Sequence, residues 1–303
     1  MPYVLMVLAV VLSACAPRSI EVKGVGRPIV ADDGATLMAF RFADPRFSKA
    51  PARGLVLYCQ GSEPRSVTEH AGALAGFCAM NAPVIGVERR GVRPDGPPDL
   101  DAFRAGSTLE RRVGDHLAAL AWGLEGQPAG LPVVLLGASE GGDVAAAIAA
   151  RTPRVTHVIL LGAGGGWTQE EEFRHFIRTT GRCLDLADEA TLDARVADIK
   201  AHPDADTLWA GHPYRRWSSF MFRRPGDDLL KVDRPILLVH GDRDSSVPVE
   251  SARALKGMFD GAGRTNLTLV EIPGADHTFA DPGTGVSRRP MVELAIVGWL
   301  ARE

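Results

Sequence analysis

One serine in this chain stands where it could act as a nucleophile. Gly137-Ala138-Ser139-Glu140-Gly141 follows the apolar run Leu131–Leu136 and precedes the alanine-rich run Asp143–Ala150. Gly-x-Ser-x-Gly between a predicted strand and a predicted helix lifts its serine onto a sharp turn, clear of the sheet. Glycines suit the flanking positions because such a turn brings backbones too close for a Cβ. A serine hydroxyl alone is a weak nucleophile. It needs a base within hydrogen-bond reach, and the base needs a carboxylate to hold its tautomer.

Two later segments could supply them. His240-Gly241-Asp242-Arg243-Asp244-Ser245-Ser246-Val247-Pro248 follows the apolar run Ile236–Val239 and carries two candidate acids. Gly274-Ala275-Asp276-His277 follows the run Leu267–Ile272 and carries a candidate base. In an open α/β sheet, reacting groups collect at the carboxyl ends of the strands, where all these segments fall. The chain order Ser139, Asp244, His277 differs from that of chymotrypsin and subtilisin. Asp242 is expected to make turn hydrogen bonds, Asp276 to point away from the base, and His240 to support the acid loop.

The elements that must position these groups alternate. Strand-like runs occur at Thr36–Phe42 (read as a half-buried edge), Leu55–Tyr58, Pro83–Val87, Val133–Leu136, Val155–Leu161, Ile236–Val239 and Leu267–Ile272. Helical spacing occurs at Val67–Met80, Thr108–Leu124, Asp143–Ala150, Val249–Phe259 and Pro290–Leu300. The alternation predicts a mainly parallel sheet covered on both faces. Residues 167–231 break the rhythm, with helical pieces at Glu170–Thr179 and Leu186–Ala201, and read as an inserted helical cap. Gly91–Asp101, with three prolines, reads as a loop, and Gly162–Gly166 as the floor of a pocket leading into the cap.

With these motifs in order, each after a strand, the chain resembles the α/β-hydrolase superfamily from about Ile29 to its end. In that superfamily His-Gly-Asp-x-Asp-x-x-Val-Pro carries the triad acid at its second aspartate, which implies Asp244. Gly-x-x-His carries the base, which implies His277. Glu88-Arg89-Arg90-Gly91 is similar to its Asp-x-Arg-Gly. The resemblance implies an oxyanion hole made by the N–H groups of Glu140, after the nucleophile, and of Ser62, in Gln60-Gly61-Ser62-Glu63-Pro64. Gln60 replaces the superfamily's histidine there, which alters the side-chain support of the loop and leaves the backbone donor in place.

The 303 residues are 46% hydrophobic and 23% charged, with a formal net charge of −3, ordinary for a globular protein and without a basic footprint for nucleic acid. The arginine pairs 89–90, 111–112, 215–216, 223–224 and 288–289 form no stripe and read as solvated faces. Val4–Leu12 is an apolar run too short to span a bilayer, as in the h-region of a signal peptide. Leu12-Ser13-Ala14-Cys15 resembles the lipobox of bacterial lipoproteins, although no Lys or Arg precedes the apolar run. That resemblance implies a signal peptide at 1–14, a lipidated Cys15, a tether over 15–28 and a place in the cell envelope. Ala16 in place of Asp implies the outer membrane. Cys59, Cys78 and Cys183 remain, an odd number that leaves at least one free thiol or an intermolecular bond; a Cys78–Cys183 bridge is one arrangement. With no Cys-x-x-Cys or His-Glu-x-x-His, no metal or cofactor is expected.

The expected function is a serine hydrolase that cleaves a carboxylic ester or thioester through an acyl-enzyme on Ser139. The eight cap aromatics, Trp167, Phe173, Phe176, Trp209, Tyr214, Trp217, Phe220 and Phe222, serve either as core or as an apolar substrate wall. Gly142 extends the motif to Gly-x-Ser-x-Gly-Gly, as in relatives of prolyl oligopeptidase, so a peptidase or amidase is the second reading. A non-catalytic binding protein on a hydrolase scaffold is the third.

Overall fold

The computed structural model describes residues 22–303. The expected signal segment and Cys15 lie outside them. Among the described residues no helix is long and apolar enough to cross a membrane. The chain builds strands β1 (Lys23–Val30), β2 (Thr36–Ala43), β3 (Leu55–Cys59), β4 (Val84–Val87), β5 (Val133–Ala138), β6 (His157–Leu161), a small hairpin of β7 (Leu208–Trp209) and β8 (His212–Pro213), then β9 (Ile236–Gly241) and β10 (Leu267–Ile272). Eight of them form one sheet in the order β1-β2-β4-β3-β5-β6-β9-β10. β1–β2 and β2–β4 pair antiparallel, and every pairing from β4 to β10 is parallel. This is the α/β-hydrolase fold.

Period-two alternation gives the sheet two apolar faces. Leu55, Leu57 and Cys59 of β3, with Leu135 of β5 and Leu238 of β9, pack under one set of helices. Those helices are α3 (Leu109–Gly123), α4 (Gly141–Arg151), α8 (Pro225–Leu229) and α9 (Val249–Gly261). Val56, Tyr58, Leu136 and Val239 face the other way, toward α1 (Ala71–Ala79) and α10 (Arg289–Leu300). Both faces are sealed, so the parallel strands read as continuous apolar runs.

Between β6 and β9 the chain forms α5 (Gln169–Thr180), α6 (Glu189–Ala201), the β7–β8 hairpin and α7 (Tyr214–Phe220) before α8. Thr168 and Glu171 close a capping box at the start of α5, and Gly181 ends it in the left-handed region. This segment has its own apolar core around Leu192, Ile199, Trp209, Tyr214, Trp217 and Met221.

Several expectations change. Residues 23–28, read as tether, belong to β1, so Thr36–Phe42 lies one strand in from the edge. β1 escapes sequence reading because only Ile29 of its eight residues is buried, and because Gly24, Gly26 and Pro28 weaken the strand signal. The loop after Gly91 ends in a short helix, α2 (Leu100–Ala105), whose N-terminal amides at Asp101 and Ala102 donate to the Asp99 carboxylate. Cys59, Cys78 and Cys183 are all free, so the Cys78–Cys183 bridge is absent. The arginine pairs are not uniformly solvated: Arg89, Arg112 and Arg216 are buried.

Candidate active site

β5 delivers Ser139 to its turn, and the turn is strained. Ser139 sits at φ 53°, a left-handed conformation that a non-glycine residue adopts at a cost of about 1–3 kcal/mol. The strain persists because its surroundings are tightly fitted. A Cβ on Gly137 would sit 2.6 Å from the Gly141 carbonyl oxygen, and one on Gly141 would run into the carbonyl of Cys59. Gly142 N–H donates to the Ser139 carbonyl at 2.8 Å, which starts α4 directly behind the serine. The positive end of that helix therefore faces the Ser139 turn.

His277 Nε2 lies 3.0 Å from Ser139 Oγ, and His277 Nδ1 lies 2.7 Å from Asp244 Oδ2. A carboxylate only accepts, so Nδ1 carries the proton and Nε2 is free to accept from the serine hydroxyl. Asp244 Oδ1 is held by the N–H groups of Ser246 and Val247 at 2.8 and 2.9 Å, which aims Oδ2 at the ring. Burial disfavours charge on His277, but the hydrogen bond and charge of Asp244 outweigh it and raise its pKa above the usual histidine value. His240, fully buried, donates from Nε2 to the Val247 carbonyl at 3.0 Å and so braces the acid loop. Asp242 accepts from Gly274 N–H at 2.7 Å and ties the acid loop to the base loop. Asp276 turns away, accepting from the N–H groups of Thr278 and Ala280.

Ser62 and Glu140 line the same cavity as Ser139 and His277. Among the described residues neither backbone N–H donates a hydrogen bond within the protein, so both are available to a substrate oxygen. Gln60 Nε2 donates to the Arg65 carbonyl at 3.0 Å and closes the loop on itself.

The Glu140 side chain is buried in a cluster that sequence reasoning missed. Its Oε1 lies 2.5 Å from Arg112 Nη1 and 3.8 Å from Arg89 Nη1, and its Oε2 pairs with Arg216. Burial opposes the charge of Glu140, but the three guanidiniums outweigh it and hold its pKa well below the usual carboxylate range. The available signal was periodicity. Arg112 and His116 stand three and seven residues after Leu109, on the buried face of α3.

The cavity has a volume of about 1410 Å³. One wall comes from the 167–231 segment through Trp167, Glu172, Phe173 and Trp217, and one arm runs past Tyr58, Phe77 and Ile296 between α1 and α10. Two carboxyl groups on its lining are displaced from their usual range. Burial and then the charge of Glu140 push Asp143 up to about 7, against the pull of Arg216. Burial pushes Glu172 up to about 8, against its hydrogen bond to Ser251, with Asp143 and Asp244 adding to the rise.

Residues 110–281, more than half of the chain and the part that holds Ser139, Asp244 and His277, match the family described as serine aminopeptidase, S33. A 59-residue stretch is 36% identical to the esterase LipC of Mycobacterium tuberculosis, covering 18% of this chain and only 15% of that esterase. Among solved structures, Est1E from Butyrivibrio proteoclasticus has a TM-score of 0.63 at 20% identity, covering 92% of this chain and 98% of its own. A puromycin-hydrolysing peptidase of Mycobacterium tuberculosis has a TM-score of 0.61 at 19% identity, covering 94% of this chain and 41% of its own. At these identities the structural likeness speaks for the fold, and the match over residues 110–281 speaks for the family. The chain belongs to the serine aminopeptidase S33 family, and it is an α/β-hydrolase enzyme.

Proposed function

We propose that this enzyme cleaves carboxylic esters or thioesters through an acyl-enzyme on Ser139. The observation that carries the reading is the continuous line Ser139 Oγ, His277, Asp244, with contacts of 3.0 and 2.7 Å. His277 Nε2 takes the hydroxyl proton as Oγ attacks the carbonyl carbon. The tetrahedral oxyanion is received by the N–H groups of Ser62 and Glu140. The proton then passes from His277 to the leaving oxygen or sulfur, and the C–O or C–S bond breaks. In the second half His277 takes a proton from water, which attacks the acyl carbon and returns Ser139. Residues 167–231 act as a cap that selects the substrate. The apolar arm between α1 and α10 suits an acyl group.

Asp143 and Glu172 favour a second reading, a peptidase or amidase. Carboxyl groups on the cavity lining would regain their charge beside a substrate ammonium. A panel of p-nitrophenyl esters of increasing chain length beside aminoacyl-nitroanilides separates the two. Turnover of esters without nitroanilides supports the first reading, and the reverse supports the second.

We also propose that Cys15 carries a lipid that holds the enzyme at the bacterial cell envelope, facing the periplasm from the outer membrane. The support is the Leu12-Ser13-Ala14-Cys15 sequence. Palmitate labelling at Cys15 with globomycin-sensitive processing is the expected result. A mature chain that is soluble and unlabelled would refute it.

A further inference from the structure

The Gly61 carbonyl and the Ser62 N–H belong to one peptide group, which is trans. In a trans peptide the two point in opposite directions, so whatever holds the carbonyl also aims the amide. Arg89 holds it. Its Nη1 donates to Gly61 O at 3.0 Å, and its Nη2 donates to Ser107 Oγ at 3.0 Å. Its guanidinium lies over the Phe103 ring at 4.4 Å, and its side chain is only 4% exposed. Arg112 repeats the arrangement one residue earlier. Its Nη2 donates to the Gln60 carbonyl while its Nη1 pairs with Glu140.

The two backbone donors assigned to the oxyanion hole sit on chain segments far apart in sequence. Glu140 joins them, because its own amide is one donor and its carboxylate anchors the arginines that hold the loop of the other. Three guanidiniums face this one carboxylate, so a surplus of positive charge lies behind the loop. In a buried setting such charge favours a negative oxygen developing nearby. A guanidinium on the carbonyl also polarises the peptide, which strengthens its N–H as a donor.

We propose that Arg89 and Arg112 are positioning residues for acyl transfer: they hold the Ser62 amide on the developing oxyanion through the Gly61 and Gln60 carbonyls, and lock that loop to the nucleophile turn through Glu140. The inference rests on the reading of Ser139 as nucleophile and of Ser62 and Glu140 as oxyanion donors. Neither arginine touches substrate, and their contribution is to the direction of a donor that matters most in the transition state.

The test is Arg89→Met, which keeps the bulk and removes both hydrogen bonds. Turnover is measured per serine titrated to completion with a fluorophosphonate, so that unfolded protein does not count. The expected result is a fall in kcat of about 10- to 100-fold, short of the loss of a whole oxyanion donor, with KM nearly unchanged. Affinity for a boronic acid that forms a tetrahedral adduct should weaken in parallel with kcat/KM. Arg89→Lys, which keeps the charge and one donor, should recover part of the rate. Turnover per titrated serine and boronate affinity within about twofold of wild type would overturn the proposal, since donor loss costs far more. If Arg89→Met does not fold, Arg112→Met, which removes the hydrogen bond to the Gln60 carbonyl, is read in the same assay with the same expected and overturning results. Failure of the underlying nucleophile reading looks different, because the fluorophosphonate would then label a residue other than Ser139.

Discussion

Two groups of charged side chains flank the same serine and are built in opposite ways. The Ser139–His277–Asp244 line is assembled from short segments, each placed by the strand just before it. The Arg89–Arg112–Arg216 cluster around Glu140 is assembled from the loop just after β4, the first turn of α3 and the start of α7, with no shared local pattern. The first line opens onto the cavity, where a proton can move. The second is almost wholly buried, with side chains at most 5% exposed and Arg89 and Arg112 off the cavity lining, and so holds fixed charge. A site of this kind pairs a mobile half with a rigid half.

The contrast can be tested by breaking each half. Asp244→Asn should lower kcat by about 10³–10⁴-fold, because the amide holds the wrong tautomer of His277, while stability changes little. Asp242→Asn should leave turnover near wild type; the opposite pattern in the two variants would move the acid to Asp242. Glu140→Ala acts on the rigid half. It leaves three buried guanidiniums facing one another without their counter-charge, and should lower unfolding stability by about 3–5 kcal/mol in a denaturant titration. A loss below about 1 kcal/mol would mean that water reaches the cluster, as it reaches a surface pair.

The pH profile sharpens the comparison. Asp244 stabilises the imidazolium of His277, so protonation persists to higher pH, and the neutral base is depleted on the acid side. The acidic limb of kcat/KM should therefore lie above 6.5, and in Asp244→Asn the limb should shift down. A limb that stays in place in that variant would separate the ionisation from His277. The smallest effect is expected at Gly76, on the cavity wall in α1, where an added Cβ meets no atom within 4 Å. Gly76→Leu should leave short esters unaffected and reduce turnover of long acyl esters by roughly tenfold, the scale of one or two methylenes of pocket volume. An unchanged chain-length profile would place the acyl group elsewhere.

The difference between the halves also explains what the sequence could reveal. Ser139, Asp244 and His277 were legible because each lies a few residues past an apolar run, in a motif that needs no distant partner. The parallel strands were legible because burial on both faces makes them continuous apolar runs. β1 was not, because an edge strand with only Ile29 buried carries little apolar signal. The arginine cluster was not, because charge in a sequence reads as solvated unless its partner is known, and Glu140 was read for its backbone alone. The aromatics of residues 167–231 stood between two readings, and the structure holds both: Trp209 and Tyr214 pack into that segment's core, Trp167 lines the cavity, and Phe173 and Trp217 do both.

The central claim is that Ser139 forms the covalent bond to the acyl group. The direct measurement is mass spectrometry of the enzyme after inactivation by a fluorophosphonate, with peptide mapping of the adduct. One adduct per chain on the peptide that contains Ser139, with activity lost in proportion and no adduct in Ser139→Ala, is the predicted result. An enzyme that stays active while Ser139 is fully modified, or a Ser139→Ala variant that keeps wild-type turnover, would contradict it.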